Sequence, residues 1–209
     1  MSIVKLNNKA VSNATAFGSI TGLGSMVFIK KLTASGSSTL SFVDGASGVV
    51  LDDTYKEYVF TFKDIHPATN GAKLSVNFSI DSGSNYNVTK TTTFFRASHY
   101  EDNSDATLGY RTGQDLAQST GEQELTDQVG NANDESMIGT LQLFNPSSTT
   151  FTKHFISTTN SYHALNITQN NYIAGYCNTT SAVDGIRFKF SSGNIDAGVI
   201  KMYGVGDKQ

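Results

Sequence analysis

The chain has 209 residues, a formal net charge of −3 and only 16% charged residues, while Ser, Thr, Asn and Gly abound. That length allows one large β domain, or a smaller domain with an arm, and a core that needs no covalent staples. The weak acidic balance excludes the basic, aromatic-interleaved stripe of a nucleic-acid binder, and the single cysteine, Cys177, excludes a disulfide-built domain.

Residues 1 to 25 are rich in Gly, Ser and Asn, with scattered apolar residues that include Val11, Phe17, Ile20 and Leu23. They lack the continuous apolar core of a signal peptide, so the expected product is a soluble cytosolic chain. No later stretch reaches the ~20 apolar residues of a membrane span, so no membrane insertion is expected. The apolar residues favour an extended arm, used for assembly or docking on the body or on a neighbour, over a plain tail.

From residue 26 onward the chain reads as strands. "MVFIKKL" (26–32) is apolar enough for a buried strand, and "TLSFV" (39–43) follows a Ser/Gly turn. "EYVFTFKDI" places Tyr58, Phe60 and Phe62 on one face. "KLSVNFSID" alternates cleanly, with Leu74, Val76, Phe78 and Ile80 inward and Ser75, Asn77 and Ser79 outward. "TTTFFRA" (91–97) is rich in β-branched and aromatic residues.

Residues 101–135 break the pattern. They hold nine acidic residues and one basic one, Arg111, a local charge of −8 against −3 for the whole chain. A connection this long inside a β-sandwich is functional or disordered. It is expected as a solvated excursion or lid, with a cation or receptor site as the second reading. "QDLAQSTGEQELTDQV" within it suits a short helix exposing acids. Tyr100, Tyr110 and Arg111, at its start, are candidate surface-recognition residues.

Strands resume at "SMIGTLQLF", and Asn145-Pro146 turns the chain into "TFTKHFIS". "YHALNIT" and "NYIAGYC" follow, and the apolar run around Cys177 makes it a buried thiol. The closing segment "GIRFKFSSGNIDAGVIKMYGV" (185–205) reads as a hairpin: Ile186, Phe188 and Phe190 alternate with Arg187 and Lys189, and Ser191 to Asn194 turn the chain. In the second strand Ile200 and Met202 oppose Val199, Lys201 and Tyr203. Ten or eleven short strands with turns between them predict an all-β fold, an antiparallel β-sandwich of jelly-roll or lectin-like type, over residues 26–209.

Catalytic chemistry is sparse. There is no G-x-S-x-G elbow, and His66, His99, His154 and His163 have none of the spacings that bind zinc. Acids such as Glu57, Asp81 and Glu101 are not paired by any pattern, as a glycosidase would require. Asp44, Asp52 and Asp53 lack the alternating oxygen ligands of a calcium loop. Trp, the favoured sugar platform, is absent, although loop tyrosines offer stacking surfaces. The five N-x-S/T sequons, at Asn13, Asn77, Asn87, Asn166 and Asn178, follow from the abundance of Ser and Thr. No metal, cofactor or catalytic residue is expected.

"SSGNIDAGVIKMYGV" (191–205) resembles the C-terminal signature of many tailed-phage virion proteins, and "DESMIGTLQLFNPSSTTFTKHFIS" (134–157) resembles a companion stretch in them. The opening, residues 5 to 45, is similar to the start of small structural proteins of marine phages. Asn145, Pro146, Gly193, Asn194, Gly198, Tyr203 and Gly204 are the scaffold positions of these motifs. The resemblance implies a non-enzymatic virion component. A tail fibre or appendage in host attachment leads, with capsid decoration and a free carbohydrate-binding module as alternatives. The partners then expected are other virion proteins, a host-surface glycan or protein, and further copies of the chain, with a trimer as the order common among appendages.

Overall fold

A computed structural model describes residues 26–206. The arm expected at residues 1 to 25, with Val11, Phe17, Ile20 and Leu23, lies outside the described residues. Twelve strands follow in chain order: β1 (Met26–Thr33), β2 (Leu40–Val43), β3 (Glu57–Pro67), β4 (Leu74–Ser79), β5 (Lys90–Tyr100), β6 (Ala106–Tyr110), β7 (Gln123–Glu124), β8 (Met137–Phe144), β9 (Lys153–His163), β10 (Ile167–Cys177), β11 (Gly185–Phe190) and β12 (Ile195–Val205). No helix is present among the described residues, and none is available to cross a membrane. The all-β antiparallel sandwich expected from the period-2 patterning is the observed fold.

The strands form an eight-stranded sheet, β1-β12-β3-β8-β9-β10-β5-β6, and a four-stranded sheet, β2-β11-β4-β7. Two groups of strands are distinct within this order. In the first, pairs nest one inside another along the chain: β1 with β12, β2 with β11, β3 with β8, and β4 with β7. Successive pairs alternate between the two sheets, so β1-β12-β3-β8 faces β2-β11-β4-β7. The second group consists of two inserted hairpins, β5-β6 between β4 and β7, and β9-β10 between β8 and β11. They extend the large sheet by four strands that the small sheet has no strands to match.

An aromatic cluster fills the nested part. Phe42 meets Phe60 edge-on with centroids 5.4 Å apart, and Phe188 meets Phe62 at 5.2 Å. All four rings are buried, together with Ile186, Ile200 and Met202. Such pairs add ~0.5–1.5 kcal/mol each beyond the area they bury.

The closing segment departs from the expected hairpin. β11 pairs with β2 and β4 in the small sheet, whereas β12 pairs with β1 and β3 in the large one. Ser191 to Asn194 therefore carry the chain across the sandwich, and the apolar faces of the two strands meet through the core. Gly198 makes the return possible. It has φ +118°, and a Cβ there would lie 2.5 Å from the Asp64 carbonyl oxygen, where β12 bulges against β3. Gly193 (φ +67°) abuts Thr69, Asn194 Nδ2 donates to the Gly36 carbonyl at 2.8 Å, and Gly204 lies against the Tyr55 ring. Asn145 takes φ +48°, and the carbonyl of the buried Pro146 accepts the Val183 N–H at 2.9 Å.

Three further expectations are corrected. "MVFIKKL" is an edge strand among the described residues, where only β12 pairs with it, and Met26, Val27 and Phe28 are exposed. In β4 both faces are buried, Ser75, Asn77 and Ser79 included, while Ile80 is exposed beyond the strand end. Residues 120–121 meet that second face, where Asn77 Nδ2 donates to the Thr120 carbonyl at 3.1 Å. The acidic segment forms no helix. Gln123, Leu125, Thr126, Asp127 and Val129 are all buried there, in a chain extended alongside β4. Its backbone is held by Leu125 N–H to the Leu74 carbonyl at 2.7 Å and Val129 N–H to the Ala72 carbonyl at 2.9 Å.

Candidate functional site: the uncharged face of the large sheet

The inserted hairpins bury Phe94, Phe155 and Ile173 on their inner face, and polar groups over much of the rest of it. On it lie Arg96 and Ser98 of β5, Ser157, Thr159, Ser161 and His163 of β9, and Gln169 and Asn171 of β10, all mostly buried. Burying such groups is costly unless each finds a partner; residues 111–135 partner Arg96 and Thr159, Ser157 donates to the Thr140 carbonyl at 2.7 Å, and Ser161 Oγ, Gln169 Oε1 and Asn171 Oδ1 have no partner among the described residues. Thr159 Oγ1 donates to the Leu125 carbonyl at 2.6 Å and accepts from Asn171 Nδ2 at 3.2 Å. Thr92 donates to Gln123 Oε1, and Arg96 forms an ion pair with Asp127. Burial, then the neighbouring Arg111 guanidinium, lowers the Arg96 pKa from its ordinary value. Burial likewise lowers that of His163, with Arg96 adding to the shift. The segment is thus not a solvated excursion over its whole length, because residues 123–129 close the interior.

At the other end of this inner face, Lys90, Cys177 and Lys153 stand side by side on β5, β10 and β9, all fully buried. Lys90 Nζ donates to Asn77 Oδ1 at 2.7 Å and to the Val88 carbonyl at 2.9 Å, and Lys153 Nζ donates to the carbonyls of Phe151 and Thr179. Desolvation lowers the Lys90 pKa to about 8 and pushes the Cys177 thiol up to about 12. The expected buried cysteine is therefore a thiol rather than a thiolate at neutral pH, and an inert one.

An acidic hollow of about 370 Å³ lies at the edge of the sandwich, lined by Asp64, His66, Asp134, Glu135 and Asp196. Glu135 is engaged in holding its own loop, accepting the Ala132 N–H at 2.6 Å, and His66 Nε2 lies 3.1 Å from the Ala132 carbonyl. Among the described residues no three His, Cys, Asp or Glu side chains converge in a way that would hold a metal ion.

The outer face of five strands, β6-β5-β10-β9-β8, is left uncovered by the described residues. Side chains alternate across a sheet, and none of the outward positions on these strands holds Asp, Glu, Lys or Arg. In a chain of 16% charged residues the charges have been kept elsewhere. The neighbouring β3 and β12 carry Glu57, Lys63 and Lys201, and the small sheet's outer side carries Arg187 paired with Glu122 and stacked 4.4 Å over the Tyr86 ring. Tyr110, Phe95, Tyr172, Thr158 and Thr140 form one row across the uncharged face, in register. Phe95 and Tyr172 stack with centroids 4.9 Å apart and planes 11° apart. One step along the strands, Ala174 floors a hollow of about 340 Å³ walled by Thr91, Thr93, His154, Ile156 and Tyr176.

The candidate recognition residues divide between the two faces. Tyr110 lies on the uncharged outer face and donates to Asp115 Oδ2 at 2.6 Å. Arg111 lies beside Arg96 with its Nε buried and without a partner, and Tyr100 is half-buried at the end of β5. Tyr203 lies against Phe28 at 5.7 Å, edge-on, at the far end of the large sheet. Sequence reasoning missed Phe95, Ile156, Tyr172 and Ala174. The signal available was the want of charge on alternate positions of five separate strands. No family model, curated protein or solved structure matches the chain.

Proposed function

We propose that the chain is a non-enzymatic structural protein of a bacteriophage particle, a jelly-roll-like module of a tail fibre or other appendage that serves host attachment. The resemblance of residues 134–157 and 191–205 to virion proteins carries this reading. The nested pairing of β1 with β12, β2 with β11, β3 with β8 and β4 with β7 supports its jelly-roll part, because a long antiparallel ribbon rolled on itself pairs its strands in that order. The motif residues serve as scaffold: Gly193, Asn194 and Gly198 steer the crossing between sheets, and Asn145-Pro146 turns β8 toward β9.

Gold-labelled antibody against the folded domain, applied to intact particles of a phage encoding the chain, tests the proposal. Label on tails or appendages is the expected result. Label on heads alone would replace it with capsid decoration, and unlabelled particles from a lysate rich in the protein would overturn both.

A further inference from the structure

We propose that the uncharged outer face of β6-β5-β10-β9-β8 is the surface through which two copies of this chain pack face to face. The inference stands on that surface alone and does not depend on the virion reading. Three observations lead to it.

The first is exposure without charge. Phe95 is 42% exposed, Leu108 74%, Tyr110 52%, Ile138 49% and Ile156 48%, all on this face. These apolar side chains stand among uncharged Thr, Asn and Gln, and the largest apolar patch of a soluble monomer is typically ~300–600 Å² and often functional. The outward positions of these strands hold no charged residue, and the carboxylates nearest them, Asp115 against Tyr110 and Glu101 against Tyr162, lie at the rim of the face.

The second is size. Strands of these lengths, spaced ~4.8 Å apart at ~3.3 Å per residue, give a face of roughly 700 Å² in projection. A standard protein–protein interface covers ~800 Å² on each partner. The match favours a protein partner over a small ligand, which would cover only the Ala174 hollow.

The third is relief. The ridge made by the Phe95–Tyr172 stack and the hollow over Ala174 are neighbours along the same strands. A twofold axis lying in the contact plane, across the strands and between these two rows, seats the ridge of each copy in the hollow of the other. This is the self-complementarity that an isologous dimer needs. It also keeps the strands of the two copies nearly aligned, the usual geometry for packed sheets. Under that axis Ile156 of one copy meets Thr158 of the other.

Light-scattering mass on the full chain at about 100 μM, well above the Kd of a standard-size interface, tests the proposal. The expected mass is twice the 22.4 kDa of one chain. Ile156→Lys, Thr158→Glu and Tyr172→Glu should each halve the mass while leaving the thermal unfolding of the body cooperative, since all three side chains stand on the outer face. Mixing Ile156→Lys with Thr158→Glu should restore the dimer, a result that loss of folding could not mimic. A monomeric parent chain, an assembly whose mass survives all three substitutions, or a mixture that stays monomeric would overturn the proposal. So would a monomer that binds a neutral glycan through Tyr172, which would make the face a sugar site.

Discussion

The nested strands and the inserted hairpins of this sandwich bury their inner faces by opposite means. Between β3, β11 and β2 the interior is aromatic, and Phe42, Phe60, Phe62 and Phe188 interlock without a polar atom among their side chains. Beneath β5, β9 and β10 it is polar around the apolar Phe94, Phe155 and Ile173: Arg96 pairs with Asp127, Thr159 donates to the Leu125 carbonyl, and Asn171 donates to Thr159. The first kind of interior depends on volume and the second on geometry. A polar interior is stable only while each group keeps its partner. The outer faces differ as well, because the nested part carries charges and the inserted part carries none.

The largest effect should come from the aromatic half. Phe188→Ala is expected to cost ~3–5 kcal/mol in urea unfolding, since it empties a site bounded by three other rings. In the polar half, Thr159→Val preserves shape yet removes the partner of the Leu125 carbonyl and of Asn171 Nδ2. A loss of ~1–3 kcal/mol is expected in the same assay, with residues 123–130 becoming the first to be cut by a protease. If Phe188→Ala were tolerated and Thr159→Val were not, the division between the halves would be reversed.

Alkaline pH sharpens the comparison, because Lys90 lies on the inserted hairpins. Its folded pKa, about 8, is below the ordinary 10.5. Between those values the unfolded chain holds a proton that the folded chain has released, so stability rises with pH. Lys153 shifts in the same direction. Cys177 acts oppositely: the unfolded thiol ionises from about 9 while the folded one keeps its proton to about 12, so its contribution falls with pH. Equilibrium unfolding should therefore show a gain of ~1 kcal/mol from pH 8 to 9 and then flatten. Lys90→Met should remove most of the gain, and Cys177→Ala should extend it beyond pH 9. The smallest effect is expected at Tyr110→Phe, within ~0.5 kcal/mol, since only an exposed bond to Asp115 is lost.

Strand positions were legible in the sequence because each strand writes a period of two in its own residues. In β3, Tyr58, Phe60 and Phe62 are buried as the alternation requires, with Val59 between them buried as well. Pairing was less legible. The turn at Ser191 to Asn194 suits a hairpin and a crossing between sheets equally, and only partners more than a hundred residues away, such as Phe42 opposite Ile186, decide between them. Residues 122–129 were hidden by their charge: Glu122, Glu124 and Asp127 each meet a cation, Arg187, Lys73 and Arg96, that lies far off in the chain. The uncharged face was written in five separate strands, and it becomes one surface only when β6, β5, β10, β9 and β8 are placed side by side.

Native-state hydrogen exchange on the full chain tests most directly whether residues 123–129 close the interior of the sandwich. The amides of Leu125 and Val129, bonded to the Leu74 and Ala72 carbonyls, should exchange as slowly as those of Val76 and Phe78 in β4, through global unfolding alone. Exchange of Leu125 and Val129 many orders of magnitude faster than β4, with β4 itself still protected, would contradict that role and return the segment to solvent.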